Sequence, residues 1–295
     1  MTEKGLRLIE TNRQARFGPG GNPDDFYAEG FKESLDMPKW LNQRSLSAYE
    51  YQCSRGVHIG EKSARAIGCA AAKTGVALSI HAPYYINLAT EDPELAPKTA
   101  NHIIKSLTAA VWMGAVRVVF HTGSPSGGRE AAMERAKKLF SRVIEDAIKQ
   151  GLDPRILSPE TMGKKNQLGN LDEVIALCKL LPGMIPTVDF GHMHAVTCGG
   201  YTEKDEIGAV FETIGEQLGR EAAEQLHIHF SRIEFTKAGE RRHWTFADPY
   251  GPPHEPLLDY IASHGLTPTI ICESAGTQAV DAAQMADYYR RCLGK

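Results

Sequence analysis

Six well-separated apolar segments of this chain each end on a residue type that can bind a metal ion. They deliver His81 (Ser79-Ile80-His81-Ala82-Pro83), His121 (Val118-Val119-Phe120-His121-Thr122-Gly123) and Glu160 (Leu157-Ser158-Pro159-Glu160-Thr161). Further on come Asp189 and His192 (Val188-Asp189-Phe190-Gly191-His192), His229 (His227-Ile228-His229-Phe230-Ser231) and Glu273 (Ile270-Ile271-Cys272-Glu273-Ser274). If these residues meet at one place, the carboxylates repel one another and their burial is costly, and metal cations remove both problems. Mixed imidazole and carboxylate ligands suit Zn²⁺, Mn²⁺ or Fe²⁺ better than Mg²⁺ alone. A single such residue is usually a solvated or hydrogen-bonded loop residue, so it is the series that points to a metal centre.

The elements that would position them are short runs rich in Val and Ile: Arg7–Glu10, Ala48–Gln52, Val76–His81, Val116–His121, Arg155–Glu160, Ile185–Asp189, Gln225–His229 and Pro268–Glu273. Most are largely apolar, as strands covered on both faces are. Between them run amphipathic stretches with helical spacing: Thr99–Met113, Arg129–Lys149, Leu171–Leu181, Glu203–Leu218, Glu255–Ser263 and Val280–Cys292. Eight strands alternating with helices in 295 residues predict a single-domain (β/α)₈ TIM barrel over residues 1–295, whose strand ends form the active-site face. The competing doubly wound sheet wants a phosphate-binding glycine turn. Gly18-Pro19-Gly20-Gly21, however, reads as a plain turn. Pro23–Trp40, within a region of about 18–42, reads as an insertion.

The composition is 42% apolar and 23% charged, ordinary for a globular chain and unlike a disordered or fibrous one. The net charge of −3 provides no overall basic field, so nucleic acid would have to be held by metal ions or a local Arg/Lys cluster. No run approaches the ~18 apolar residues of a membrane span, and the first residues lack a secretory h-region. The six cysteines form no CxxC pair and read as free thiols. The expectation is a cytoplasmic monomer that does not bind membranes.

From about Leu78 to Glu273 the ordered strand-end series resembles the endonuclease IV family of apurinic/apyrimidinic endonucleases, within the xylose-isomerase-like barrels. The resemblance implies cleavage of DNA on the 5′ side of abasic sites by a cluster of two or three ions, Zn²⁺ in the family. It implies His81 and His121 on the first metal, Glu160 bridging first and second, Asp189, His229 and Glu273 on the second, and His192 with His243 on the third. Glu160 and Glu273 are the implied catalytic carboxylates. Tyr84 and Tyr85 fall in the loop that would enter the minor groove, and Arg55 follows the second strand, where the family also holds DNA. One departure stands out. The family's Asp-x-His pair after the seventh strand is here Gly239-Glu240-Arg241-Arg242-His243. Either Glu240 reaches in as Glu-x-x-His, or the third site is lost and Arg241 supplies the positive charge.

A rival reading uses the same residues. Sugar isomerases and epimerases of the superfamily bind one Mn²⁺-type ion with a Glu, Asp, His, Glu tetrad, which Glu160, Asp189, His229 and Glu273 match, and act on a small sugar by shuttling a proton. His81 and His121 discriminate, because a single ion does not need them. A metal-binding chain without activity is the third possibility. Of the other histidines, His194 is placed behind the ligands. His227 is expected to face the helices as a hydrogen-bonded core residue. His58, His102, His254 and His264 are expected at the surface.

Overall fold

The computed structural model describes residues 14–294. Eight parallel strands form the barrel: β1 (Arg16–Pro19), β2 (Ala48–Gln52), β3 (Ala77–His81), β4 (Arg117–Phe120), β5 (Leu157–Pro159), β6 (Thr187–Asp189), β7 (His227–Phe230) and, after a hairpin of β8 (Arg232–Thr236) and β9 (Gly239–Trp244), β10 (Thr269–Cys272). The ladder runs β2-β3-β4-β5 on one side and β6-β7-β10-β1 on the other. Two bridges, Gly20 to Glu50 and Glu160 to Thr187, join the halves into a ring. Closure removes the sheet edges, which leaves only the strand ends open to a ligand.

The sequence periods explain the outer layer. Leu95–Met113 buries Ile103, Leu107 and Ala110, and Arg129–Lys149 buries Ala132, Ala136, Phe140, Val143 and Ala147, each a stripe at spacings of three and four turned to the barrel. The strands behave as a sheet covered twice: β4 buries Val118, Val119 and Phe120 completely. Inside the barrel the packing is partly polar, with Ser158 bonded to Thr187 (2.7 Å) and Ser79 to Glu50 (2.8 Å). Among the described residues no helix is long and apolar enough to cross a membrane.

Three expectations are corrected. The first barrel strand is Arg16–Pro19, in parallel register with β10 from Arg16 opposite Thr269 to Pro19 opposite Cys272, while the segment Arg7–Glu10 lies outside the described residues. Gly18 and Pro19 are therefore strand residues, and Gly18 is required there: a Cβ would overlap the Ala48 carbonyl of β2. Pro23–Trp40 carries the helices Asp24–Ala28 and Met37–Asn42 that cross from β1 to β2, and it buries Phe26, Met37 and Trp40. Its polar residues face solvent and mask a short apolar stripe. His254 is buried, stacked on Phe246 at 4.9 Å.

Trp40 is 1% exposed and its indole N–H donates to Glu29 at 2.9 Å. Trp40→Ala is expected to cost about 3–5 kcal/mol in denaturant unfolding, as for a core aromatic. A loss below ~1 kcal/mol would mean that Trp40 does not pack as a core residue.

Candidate metal centre

Each strand brings its chemistry to the same end of the barrel. Glu160, directly after β5, is fully buried and divides its two oxygens. Oε2 faces His81 (3.3 Å) and His121 (3.2 Å), while Oε1 faces His229 (3.1 Å) and His192 (3.5 Å). Asp189 ends β6 and serves as N-cap of the helix Phe190–Val196. Its Oδ1 accepts from the His192 backbone N–H at 2.8 Å. Its buried Oδ2 has no hydrogen-bond partner and lies 3.4 Å from His192 Nδ1. Glu273, after β10, lies 3.6 Å from His229 Nδ1 and is partly open to the mouth.

Five groups of possible ligands converge among the described residues, and three of them correspond to the expected sites: His81, His121 and Glu160; Glu160, Asp189, His229 and Glu273; and His192, Glu240 and His243. The other two, His81 with His229 and Glu273, and Glu50 with His227 and His229, overlap them at His229. A buried carboxylate oxygen without a donor, Asp189 Oδ2, is what an absent cation would leave behind, and the mixed His/carboxylate donors fit such an ion. The imidazoles are also aimed. A nitrogen facing a carbonyl must be the donor, so His81 Nδ1–H donates to Ala82 (2.8 Å) and His192 Nδ1–H to Thr161 (2.9 Å), while Ser231 holds His243 Nδ1 (2.8 Å). In each ring the other nitrogen is left facing the cluster, and such outer partners fix ligand geometry.

The third set answers the question raised by Arg241. In the β8–β9 hairpin Glu234 pairs with Arg242 but Phe235 with Glu240, so Arg241 is the extra residue of a β-bulge. Residues three apart on a regular strand face opposite sides. The bulge restores Glu240 and His243 to one side, where Glu240 lies 3.6 Å from His192 Nε2 and 3.7 Å from His243 Nε2. The hairpin is seated by its tip: Glu240 N–H donates to the Gly163 carbonyl (2.8 Å) and Lys165 N–H to that of Ala238 (3.1 Å). Gly239 at φ +104° passes so close to Gly163 that no Cβ would fit between them. Arg241 itself is exposed and paired with Glu234 at 2.6 Å, outside the ligand sets, which removes it as the source of charge there.

The mouth opens into a cavity of about 350 Å³ whose lining includes Gln52, Tyr84, Lys164 and the exposed edges of the ligand sets. Tyr84 is 63% exposed beside it, and Tyr85 packs edge-on against His102. Arg55 is exposed in the loop after β2. His194 points elsewhere, bonding the Gly200 carbonyl at 2.6 Å.

Glu50 was not foreseen. It sits in the middle of β2, fully buried, accepts from Ser79 and from His227 (2.9 Å), and lies 3.0 Å from His229 Nε2. That last contact has ion-pair distance, with the N–H off the line of a hydrogen bond. His227 thus faces the barrel interior with His229, and the expectation that it faces the helices is corrected: residues two apart on a strand share a side. It is the hydrogen-bonded core histidine expected. A carboxylate between apolar neighbours in Ala48-Tyr49-Glu50-Tyr51-Gln52 was the available signal.

The electrostatics follow from burial against pairing. Burial pushes the Asp189 carboxyl up, and would push Glu50 and Glu160 up, but neighbouring imidazoles hold both of those below the usual carboxylate range. Burial opposes charge on His81 and His192 too, yet Glu160 and Asp189 raise them to about 9. His229 is likewise raised, by Glu50, Glu273 and Glu160, against its burial.

A closed parallel barrel carrying clustered imidazoles and carboxylates at its C-terminal mouth defines a class of metal-site enzymes. The chain belongs to the xylose isomerase-like TIM barrel family, whose model matches residues 38–292. An uncharacterized protein of Methanocaldococcus jannaschii is 32% identical over 262 residues, 88% of this chain and 91% of its own length. A probable endonuclease 4 of Acholeplasma laidlawii is 26% identical over 167 residues, 55% of each chain, so the match spans about half of that protein. Among solved structures, a D-tagatose 3-epimerase-like protein matches with TM-score 0.69 and 16% identity, covering 95% of this chain and 98% of its own. Endonuclease IV from Thermus thermophilus matches with TM-score 0.67 and 20% identity, covering 95% and 99%. Both solved structures are below 25% identical to this chain and show the shared fold.

Two outcomes are expected here. Deleting Arg241 makes β9 regular and places Glu240 two residues from His243, which keeps both on one side. Titration of Zn²⁺ into metal-free protein should therefore find the third site retained in that deletion and in Arg241→Ala, and weakened by at least about tenfold in Glu240→Ala. Second, imidazoles raised to about 9 carry protons at neutral pH in the metal-free protein and must lose them to bind metal. Metal affinity should therefore climb as pH rises from ~7 to ~9, with proton release visible by calorimetry in buffers of different ionisation enthalpy. A flat profile would contradict the assignment.

Proposed function

We propose that this chain is a metal-dependent phosphodiester hydrolase of the endonuclease IV type, cutting DNA on the 5′ side of abasic sites as a cytoplasmic monomer. The observation that carries this reading is the division of Glu160. One oxygen faces His81 and His121 and the other faces His229, which is the placement of a carboxylate shared by two ions. His81, His121 and Glu160 would hold one ion, Glu160, Asp189, His229 and Glu273 a second, and His192, Glu240 and His243 a third. Zn²⁺ suits all three, and Mn²⁺ or Fe²⁺ the carboxylate-rich set.

Bound ions supply a water of lowered pKa and neutralisation of phosphate charge. The residues do the rest. Glu160 fixes the spacing of the two sets, and Glu273, at the open edge of the cluster, orients the attacking water and takes its proton. Lys164 lines the same mouth and offers a cation to a phosphate oxygen. Tyr84 and Tyr85 present exposed rings to an unstacked lesion. Arg55 and Arg241, both exposed, are left for the DNA backbone. Local cations in this way offset the net charge of −3.

One observation favours the second reading. The tetrad Glu160, Asp189, His229 and Glu273 is complete by itself, and a cavity of about 350 Å³ would hold a small sugar. Metal content decides. The expected result is two or three ions per chain and chelator-sensitive cleavage of a duplex bearing one abasic site. His121→Ala should lower cleavage by more than about a hundredfold, beyond the 10–100-fold typical of outer partners. One ion per chain, no cleavage and isomerisation of a ketose would replace this reading with the epimerase.

A further inference from the structure

We infer that Glu50 is a positioning residue for His229, holding that imidazole so that Nδ1, and not Nε2, is offered to the ion. The inference rests on the metal-binding part of the reading above and not on the identity of the substrate.

The other anchored rings present Nε2. His81 and His192 have Nδ1 taken by backbone carbonyls and His243 has it taken by a hydroxyl. His229 is reversed: its Nδ1 faces Glu160 (3.1 Å) and Glu273 (3.6 Å), so its Nε2 must be held from behind. Inside a closed barrel the strand carbonyls are committed to the ladder, so a backbone partner is scarce there. Glu50 supplies a negative charge from β2 instead, with Oε1 at the ion-pair distance of 3.0 Å from Nε2 and the N–H off the line of a hydrogen bond. Its other oxygen is fixed by two donors, Ser79 Oγ at 2.8 Å and His227 Nε2 at 2.9 Å. A fully buried carboxylate with no Lys or Arg among these partners is costly, and an apolar side chain would fill the space more cheaply. What it adds is direction: a carboxylate charge beside Nε2 favours the proton there and frees the Nδ1 lone pair.

Glu50→Gln separates direction from packing because the two side chains have nearly the same shape. If the amide oxygen keeps the two donors, its NH₂ faces His229 Nε2 and favours the tautomer with the proton on Nδ1, where the ion must bind. The expected result is a 10–100-fold loss of Co²⁺ or Zn²⁺ affinity at one site, with a changed Co²⁺ absorption band and an unfolding temperature close to wild type. The affinity of the His192, Glu240 and His243 set should stay unchanged. In the Zn²⁺-loaded wild type, ¹⁵N NMR should show His229 protonated at Nε2. Wild-type affinity in Glu50→Gln, or equal weakening of every site together with early unfolding, would reduce Glu50 to core filling. If the variant does not fold, the wild-type NMR decides, and a proton on Nδ1 overturns the inference. A wild type that binds ions without cutting DNA ends the phosphodiesterase reading and leaves this one standing.

Discussion

Three carboxylates, Glu50, Glu160 and Asp189, are completely shielded from water inside one barrel. Such a group is tolerated only when protonated, paired or bound to a cation. No Lys or Arg pairs with any of the three among the described residues, so the compensation falls to imidazoles and to whatever ions the site takes up. Without metal, protons on His81, His192 and His229 balance the charge, and an ion bound at the proposed centre would replace them. The strand ends, hairpin and loops bring together the groups between which this exchange of positive charge would take place.

Precision at such a site comes from rigid elements with secured side chains. The strands set the positions, the ladder sets their spacing, and the outer partners set the angle of each ring. Asp189 shows how local rules and function share one residue: capping a helix occupies one of its oxygens and aims the other into the cluster. The hairpin shows the same economy in backbone. One bulged residue, Arg241, changes side-chain phase and lets a Glu-x-x-His sequence place both ligands on one side.

Much of this was legible in the chain. Apolar runs with period-free burial and helices with clear stripes gave the barrel, and the polar residue ending each run gave its mouth. The misreadings have specific causes. β1 is four residues long with a Gly and a Pro in it, and its strand character comes from pairing with β10 rather than from propensity. The β1–β2 crossover hid its apolar stripe among charged and aromatic residues. His227 precedes His229 by two residues and therefore shares its side of the strand, facing the interior and not the helices. Glu50 escaped because its local mark, a carboxylate between two tyrosines, is faint, and the partners that explain its burial lie 29 and 177 residues away.

The sequence by itself determined which residue types stand at the ends of which strands, and hence the fold class and the candidate ligands, because hydrophobic period and strand-end chemistry are local properties. Only the tertiary structure decided that Glu160 faces two sets of imidazoles, that Glu240 joins the third set, and that Glu50 stands behind His229. Those facts depend on barrel closure, on the phase of a bulge and on the direction of a ring nitrogen, which are fixed by contacts between segments far apart in the chain.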